Sequence, residues 1–375
     1  MGFALYLFQM SYPSARSDRP SCPRHPNTVS SNLSPVFDSA DCFLGTSILH
    51  IKRFIREISC TFMAPPELIF GTANVGSVWT APEDLSTLTH ELSEGGIRRL
   101  DTAARYPPTN PGASQRTLGA HSFGSQGFAI DTKVLAWTAD GSGEMTPEAI
   151  EKSVMDSLEA LKIEKINVLY SHRPDPSTPL ATQLEGVDAQ FKLGRFREFG
   201  VSNWPQTAIA SYIELAKKSG AVQPTAAQYQ YNLLARHAEK EFFPFLRSHG
   251  IRFVAFSPLA GGFLTGKDST WKQDIPFAAG YRHWYIQPGM FAAVEKFTAL
   301  CTEYSVPLPE AAMRWLAYHS ALRETDAILV GATKVEQVRE AVRALNAGPL
   351  PAGLVEGMDS VFDLCKDEAK KLVTF

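Results

Sequence analysis

The stretch RRLDTAARY, residues 98–106, shows a pattern that recurs along the chain. Apolar Ile97 and Leu100 mark a short strand that ends at the carboxylate of Asp101, and Tyr106 follows on the outgoing loop. Two later segments have the same form, since IDTKV brings Lys133 to the end of a strand and VLYSH does the same for His172. An acid, a tyrosine, a lysine and a histidine at successive strand ends predict one shared site.

The alternation of strand, turn and helix continues from Pro66 to the C-terminus. It predicts parallel strands joined by crossover helices, and the number of strands favours a closed (β/α)8 TIM barrel. A doubly wound sheet is the alternative, but no G-x-G-x-x-G follows the first strand. The predicted strands are 68–71, 97–101, 127–133, 166–171, 196–201, 225–229, 251–256 and 327–330. The predicted helices include one from Pro82, one from Pro147 to Leu161, one over 205–219, and one that runs to His249 after the sixth strand.

The composition excludes several functional classes. The formal net charge of -3 and the pI near 6.3 give no electrostatic reason to expect a nucleic acid or an anionic membrane as partner. No stretch approaches the roughly 20 apolar residues of a membrane span. The five cysteines show no CxxC or Cys/His metal spacing, which indicates reduced thiols and no structural metal.

Residues 1–62 differ from the rest, because prolines, serines and asparagines interrupt any sustained periodicity. We expect this extension to be either disordered or an artefact of start-site assignment, with Met63 as the initiator. The barrel is then predicted over residues 63–375. We expect a cytoplasmic location. A mitochondrial location stays open if the extension is real, because Arg16, Arg19 and Arg24 are basic, although Asp18 argues against a targeting helix.

The four strand-end residues suit the reduction of a carbonyl. A nicotinamide cofactor must supply the hydride, because no side chain can. Tyr106 can supply the proton, although a free tyrosine with a pKa of about 10 is a weak acid. An adjacent Lys133 would lower that pKa, Asp101 would keep the lysine charged, and His172 could donate to the same oxygen.

These residues resemble the aldo-keto reductase family, and the resemblance extends from about Pro66 to the C-terminus. Besides the segments above, GVSN at 200–203 fits the pattern of the family. Three segments are similar to the branch with the aflatoxin-aldehyde and succinic-semialdehyde reductases: SHRPDPSTP at 171–179, QYQYN at 228–232 and AFSPLAGGFLTGK at 255–267. The resemblance implies a (β/α)8 barrel, NADPH in preference to NADH, and a catalytic tetrad of Asp101, Tyr106, Lys133 and His172, with Tyr106 as proton donor.

The same resemblance implies the cofactor-binding residues. The carboxamide would be bound by Ser202, Asn203 and Gln228, and Phe256 would lie against the nicotinamide ring. The pyrophosphate would be bound by Ser257, Leu259, Gly261 and Lys267. The adenine end, with its 2′-phosphate, would be bound by Gly331, Thr333, Lys334 and Gln337. Gln337 stands where many members have arginine, but glutamine is usual in this branch. Ala341 stands where an asparagine is common and removes an expected adenine contact, which weakens the case for NADP over NAD.

A small-molecule carbonyl is the expected substrate, in a pocket lined by Trp79, Trp137 and Trp204, with Arg282 as a candidate for binding a substrate carboxylate. Both tryptophans at 79 and 137 could equally be packing residues. A nucleotide-binding regulatory subunit, similar to the β subunits of potassium channels, is the alternative function. The branch also makes a homodimer an alternative to a monomer.

Overall fold

The computed structural model describes residues 64–266 and 283–372. Eight parallel strands close into a barrel in sequential order, with the eighth strand paired to the first. The strands are β1 Glu67–Gly71, β2 Arg99–Asp101, β3 Ala129–Lys133, β4 Ile166–Ser171, β5 Phe196–Ser202, β6 Pro224–Gln230, β7 Arg252–Phe256 and β8 Ala327–Gly331. The predicted (β/α)8 barrel is confirmed.

Helices lie between successive strands and after the last strand, and they bury apolar residues against the barrel. They are α1 Pro82–Glu94, α2 Ala113–Ala120, α3 Pro147–Leu161, α4 Leu180–Lys192, α5 Gln206–Ser219, α6 Phe242–Ser248, α7 Pro288–Glu303, α8 Leu308–Tyr318, α9 Val335–Asn346, α10 Ala352–Asp359 and α11 Lys366–Ala369. The start of α3 follows the sequence signal, because the Thr146 hydroxyl accepts from the N–H of Ala149 at 3.2 Å and Pro147 takes the first helical position.

The predicted long helix after β6 is wrong in its extent, because α6 covers only Phe242–Ser248. The Asn232 side chain explains why no helix begins directly after β6. Its Oδ1 accepts from the N–H of Leu234 at 2.9 Å, and its Nδ2 donates to the carbonyl of Ser257 at 2.9 Å. Asparagine here competes with helical hydrogen bonding and ties the segment to the end of β7.

A small apolar cluster fills the middle of the barrel, apart from the larger core between strands and helices. It consists of Ile69, Val168, Tyr170, Ala226, Val254 and Ala327, all almost fully buried. Tyr170 is the large side chain of this cluster.

Charged side chains surround the barrel axis nearer the amino ends of the strands. Arg99 donates from Nε to Asp131 at 2.8 Å and from Nη1 to Glu67 at 2.9 Å. Arg252 forms an ion pair with Glu198 on a strand that is not adjacent in the sheet. We call these five side chains the basal network, and its pairs link five strands of the barrel.

Within the described ranges, no helix combines the length and apolar character needed to cross a bilayer. The extension 1–62 and Met63 lie outside the described residues, so the predicted domain boundary stays a prediction.

Candidate active site

A buried ion pair lies at the carboxyl ends of β2 and β3. Lys133 Nζ contacts Asp101 Oδ1 and also donates to the carbonyl of Thr102 at 2.9 Å. The other carboxylate oxygen of Asp101 accepts from Gln228 Nε2 at 2.7 Å. Both charged side chains are 1% exposed. Because a buried ion pair is tolerated only with good hydrogen-bond partners, these contacts compensate the burial and fix Lys133 in position.

Tyr106 and His172 lie next to this pair. Lys133 Nζ is 5.2 Å from the centroid of the Tyr106 ring, and the Tyr106 and His172 rings meet edge to face with centroids 5.7 Å apart. The Tyr106 backbone is bound at both polar groups, since its N–H donates to Ala103 at 2.9 Å and its carbonyl accepts from Ser114 at 3.1 Å. The structure therefore brings all four predicted tetrad residues together.

His172 is electrically neutral at ordinary pH in this setting. Loss of contact with water lowers its pKa well below the usual value, and the positive charges of Lys133, Arg105 and Arg173 lower it further. Its Nδ1 is buried without a hydrogen-bond partner among the described residues. A neutral imidazole can still donate one N–H, so His172 is suited to bind an oxygen rather than to transfer a proton.

The residues predicted to bind a carboxamide form a continuous chain with the ion pair. Ser202 Oγ donates to the carbonyl of Gln228 at 2.9 Å, and Asn203 Nδ2 donates to Ser202 Oγ at 3.0 Å. Asn203 has a φ of 58°, a left-handed conformation that asparagine tolerates better than most residues. These three side chains thus lie beside Asp101 at the same end of the barrel.

The loop after β7 turns sharply through left-handed residues. Ser257, Ala260 and Gly261 have φ values of 56°, 53° and 64°, and Gly262 follows at 99°. These conformations form a tight turn in which the N–H groups of Ala260 and Gly262 donate to the carbonyls of Ser257 and Leu259, both at 2.9 Å. Phe256 and Leu259 are partly buried at the start of this loop. Lys267, predicted to act here, lies outside the described residues.

The loop after β8 is exposed at Gly331, Thr333 and Lys334. Gln337 Oε1 accepts from the backbone N–H groups of Thr333 at 2.7 Å and Lys334 at 3.2 Å. The Thr333 hydroxyl donates to the same oxygen at 3.3 Å. Gln337 therefore caps α9 in this structure, and the Lys334 ammonium is the cationic group at this helix start.

The predicted substrate-pocket aromatics occupy different environments. Trp79 is 5% exposed and donates from Nε1 to the carbonyl of Ala332 at 2.9 Å, and Trp204 is 1% exposed and donates to Ser171 Oγ at 2.9 Å. Both pack in the core in this conformation. Trp137 is 71% exposed on the loop after β3. Arg282 lies outside the described residues.

Two features near the tetrad were not predicted from the sequence. The Glu144 carboxylate accepts from the N–H groups of Trp137 at 2.6 Å and Thr138 at 2.7 Å and pairs with Arg173, so it fixes the loop that carries Trp137. The Glu144–Arg173 ion pair joins residues of two different loops, so no local sequence pattern predicts it.

Arg105 is the second such feature. Of the cations that lower the His172 pKa, Lys133 is paired with Asp101 and Arg173 with Glu144. Arg105 donates to the carbonyl of Ala136 at 3.3 Å, and no carboxylate among the described residues pairs with it. Its position directly before Tyr106 was the available signal.

Comparison with known proteins places this chain in a family. Residues 67–363 match the model of the aldo/keto reductase family. The chain is 34% identical to the oxidoreductase sirO of Leptosphaeria maculans over 326 residues, which cover 81% of this chain and 96% of that protein. It is 32% identical over 337 residues to human aflatoxin B1 aldehyde reductase member 2, with 84% and 91% covered. The protein belongs to the aldo/keto reductase family of oxidoreductases.

Proposed function

We propose that this protein reduces aldehydes or ketones to alcohols with NADPH, and that Tyr106 donates the proton. One observation carries the proposal: the ammonium of Lys133, buried and bound to Asp101, lies 5.2 Å from the centre of the Tyr106 ring, with His172 against that ring. The basal network has buried ion pairs too, but Tyr106 and His172 adjoin only this pair in the described part of the chain.

Each tetrad residue has a role that its surroundings support. Lys133 favours the phenolate that forms when Tyr106 gives up its proton. Asp101 keeps Lys133 charged, and Gln228 and Thr102 hold the pair in place. A neutral His172 can donate an N–H to the carbonyl oxygen without competing as an acid. Developing charge on that oxygen is thus met by donors that are already oriented.

The residues present fit a nicotinamide dinucleotide, which when bound supplies the hydride. The Ser202, Asn203 and Gln228 side chains would bind the carboxamide beside the tetrad, and the left-handed turn at 257–262 would bind the pyrophosphate. The exposed Thr333 and Lys334 at the start of α9 would bind the 2′-phosphate that distinguishes NADPH from NADH.

The relatives named as aflatoxin B1 aldehyde reductases support an aldehyde as the carbonyl class. Trp137 and Arg105 are the described residues on the loops beside the tetrad that are best placed to contact the substrate. The exposed indole of Trp137 offers an aromatic surface, and the Arg105 guanidinium, which has no carboxylate partner among the described residues, favours a substrate with an anionic group.

Cofactor titration followed by turnover tests the proposal. NADPH binding, measured by the change in its fluorescence, should be tighter than NADH binding, and Lys334→Met should weaken NADPH binding while leaving NADH binding near its original value. Consumption of NADPH should then depend on added aldehyde. Binding without turnover of any aldehyde would instead support the regulatory function, and equal affinity for both cofactors would remove the assignment of Lys334.

A further inference from the structure

The Lys133 ammonium lies near two aromatic rings, and only one of them belongs to the tetrad. Its Nζ is 5.2 Å from the Tyr106 ring centroid and 5.8 Å from that of Tyr170. Lys133 and Tyr170 are register partners on the adjacent strands β3 and β4. Strand pairing therefore fixes the position of the Tyr170 ring, which belongs to the apolar cluster in the middle of the barrel.

The neighbouring strand leaves room for this ring at Gly200. A Cβ atom at that position would lie 2.3 Å from Tyr170 Cε1 and 2.4 Å from Cδ1, closer than real carbon atoms approach. Gly200 has no left-handed backbone that would require glycine. Space for the Tyr170 ring thus explains the glycine in β5, and the two residues act as a packed pair.

The ring of Tyr170, rather than its hydroxyl, makes these contacts. The hydroxyl oxygen is buried and has no hydrogen-bond partner among the described residues. Burial raises the pKa of Tyr170 well above its ordinary value, so the side chain stays neutral and is unsuited to give up a proton. A hydroxyl without a partner costs stability, which indicates that the aromatic ring is the useful part.

We infer that Tyr170, packed on Gly200, is a positioning residue that holds the Lys133 ammonium against Tyr106. The inference rests on the proposed reductase function. The ring face attracts the ammonium, and its bulk keeps Lys133 from sinking into the apolar centre of the barrel. Tyr170 touches neither substrate nor cofactor in this role.

Substitutions at both positions of the pair test the inference. Tyr170→Phe keeps the ring and should leave kcat within about twofold of wild type, since it removes a hydroxyl that makes no hydrogen bond. Tyr170→Leu removes the ring and should lower kcat by about 10- to 100-fold with little change in the KM for NADPH, the effect of a displaced catalytic group. Gly200→Ala should act in the same way by pushing the ring aside.

The double variant Tyr170→Leu/Gly200→Ala provides the sharpest test. Once the ring is absent, the added methyl group has nothing to displace, so the double variant should be no slower than Tyr170→Leu. Gly357→Ala is the matched control, because its Cβ would lie 2.5 Å from Leu300 Cδ2 in the helical layer. That change should reduce stability and leave kcat within about twofold.

Two results would overturn the inference. The first is a folded Tyr170→Leu or Gly200→Ala variant that keeps the wild-type kcat. The second comes from a measurement independent of turnover, the ¹³Cε resonance of Lys133, assigned with Lys133→Met. This resonance should move in Tyr170→Leu and stay in place in Tyr170→Phe. An unchanged Lys133 resonance in Tyr170→Leu would overturn the inference. If no carbonyl is reduced, the proposed function fails, and this resonance alone decides the position of Lys133.

Discussion

Two buried ionic networks occupy the same barrel, and they differ in what adjoins them. The basal network joins Arg99 to Glu67 and Asp131, and Arg252 to Glu198. The upper pair, Lys133 and Asp101, comes from β3 and β2, the strands that also carry Asp131 and Arg99. Only the upper pair has a partly buried tyrosine and histidine beside it among the described residues.

The comparison shows that burial and pairing of charge do not by themselves mark an active site. Arg99 and Lys133 are both well buried and both bound to carboxylates. The position along the strand distinguishes them, because loops that can carry Tyr106 and His172 leave the barrel at the carboxyl ends. We therefore expect substitutions in the upper pair to affect catalysis and substitutions in the basal network to affect stability.

The largest effect is expected for Lys133→Met. Loss of the ammonium removes the charge that favours the Tyr106 phenolate and leaves Asp101 without its partner. We expect kcat for aldehyde reduction to fall by about 10³-fold, within the range for general acid catalysis. Steady-state kinetics at saturating NADPH, with circular dichroism to establish folding, measures it. A loss below tenfold in the folded variant would contradict the role given to Lys133.

Arg99→Met should show the opposite pattern. Burial already raises the pKa of Asp131 to about 6 although Arg99 lowers it, so removal of Arg99 forces the buried carboxylate either to stay uncompensated or to take up a proton. The free energy of unfolding should therefore fall by about 3–5 kcal/mol. Urea denaturation measures this, and kcat of the folded protein should change little. Arg339→Met is the control, because its pair with Glu91 lies at the surface, where solvent screens the attraction, and should contribute little to stability. An Arg99 variant that is stable but inactive would break the comparison.

The sequence predicted much of the upper site, since Asp101, Lys133 and His172 each lie at or directly after a strand end, a position that apolar spacing locates well. It could not predict which large side chains face inward. Trp79 and Trp204 were expected in the pocket and lie buried in this conformation, because their indole N–H groups find acceptors at Ala332 and Ser171. The extent of α6 and the Glu144–Arg173 pair likewise depend on contacts between distant segments.

Arg105 sharpens the comparison, because the arginines of the basal network have carboxylate partners and Arg105 has none among the described residues. We expect Arg105→Met to reduce the preference for carboxylated over neutral aldehydes, measured as a ratio of kcat/KM, by about 10- to 100-fold, the contribution of a charge-assisted hydrogen bond. Arg98→Met removes an equal charge from the other end of β2 and serves as control. An unchanged ratio would exclude Arg105 from substrate selection.

A smaller effect is expected at Asp175, which fixes the loop after β3. Burial alone would raise the pKa of Asp175, but hydrogen bonds from the Thr178 hydroxyl and the N–H groups of Met145, Ser177 and Gly143 outweigh it and lower the pKa to about 2. Because the folded pKa is depressed, this stabilisation is present above pH 4 and is lost as the pH falls toward 2.

Asp175→Asn should therefore lower stability at pH 7 by about 1–2 kcal/mol and flatten its decline between pH 4 and 2. Urea denaturation at a series of pH values measures both. An acid limb identical to that of the wild type would show that Asp175 does not supply this pH dependence.

The most direct test compares Tyr106→Phe with Tyr212→Phe in aldehyde-dependent NADPH oxidation. Tyr212 is a buried tyrosine in α5 whose hydroxyl has no partner among the described residues, so its variant controls for loss of a phenol elsewhere. We expect Tyr106→Phe to bind NADPH normally and to lose activity by about 10²- to 10⁴-fold, while Tyr212→Phe keeps it. Full activity in Tyr106→Phe would contradict the assignment of Tyr106 as proton donor.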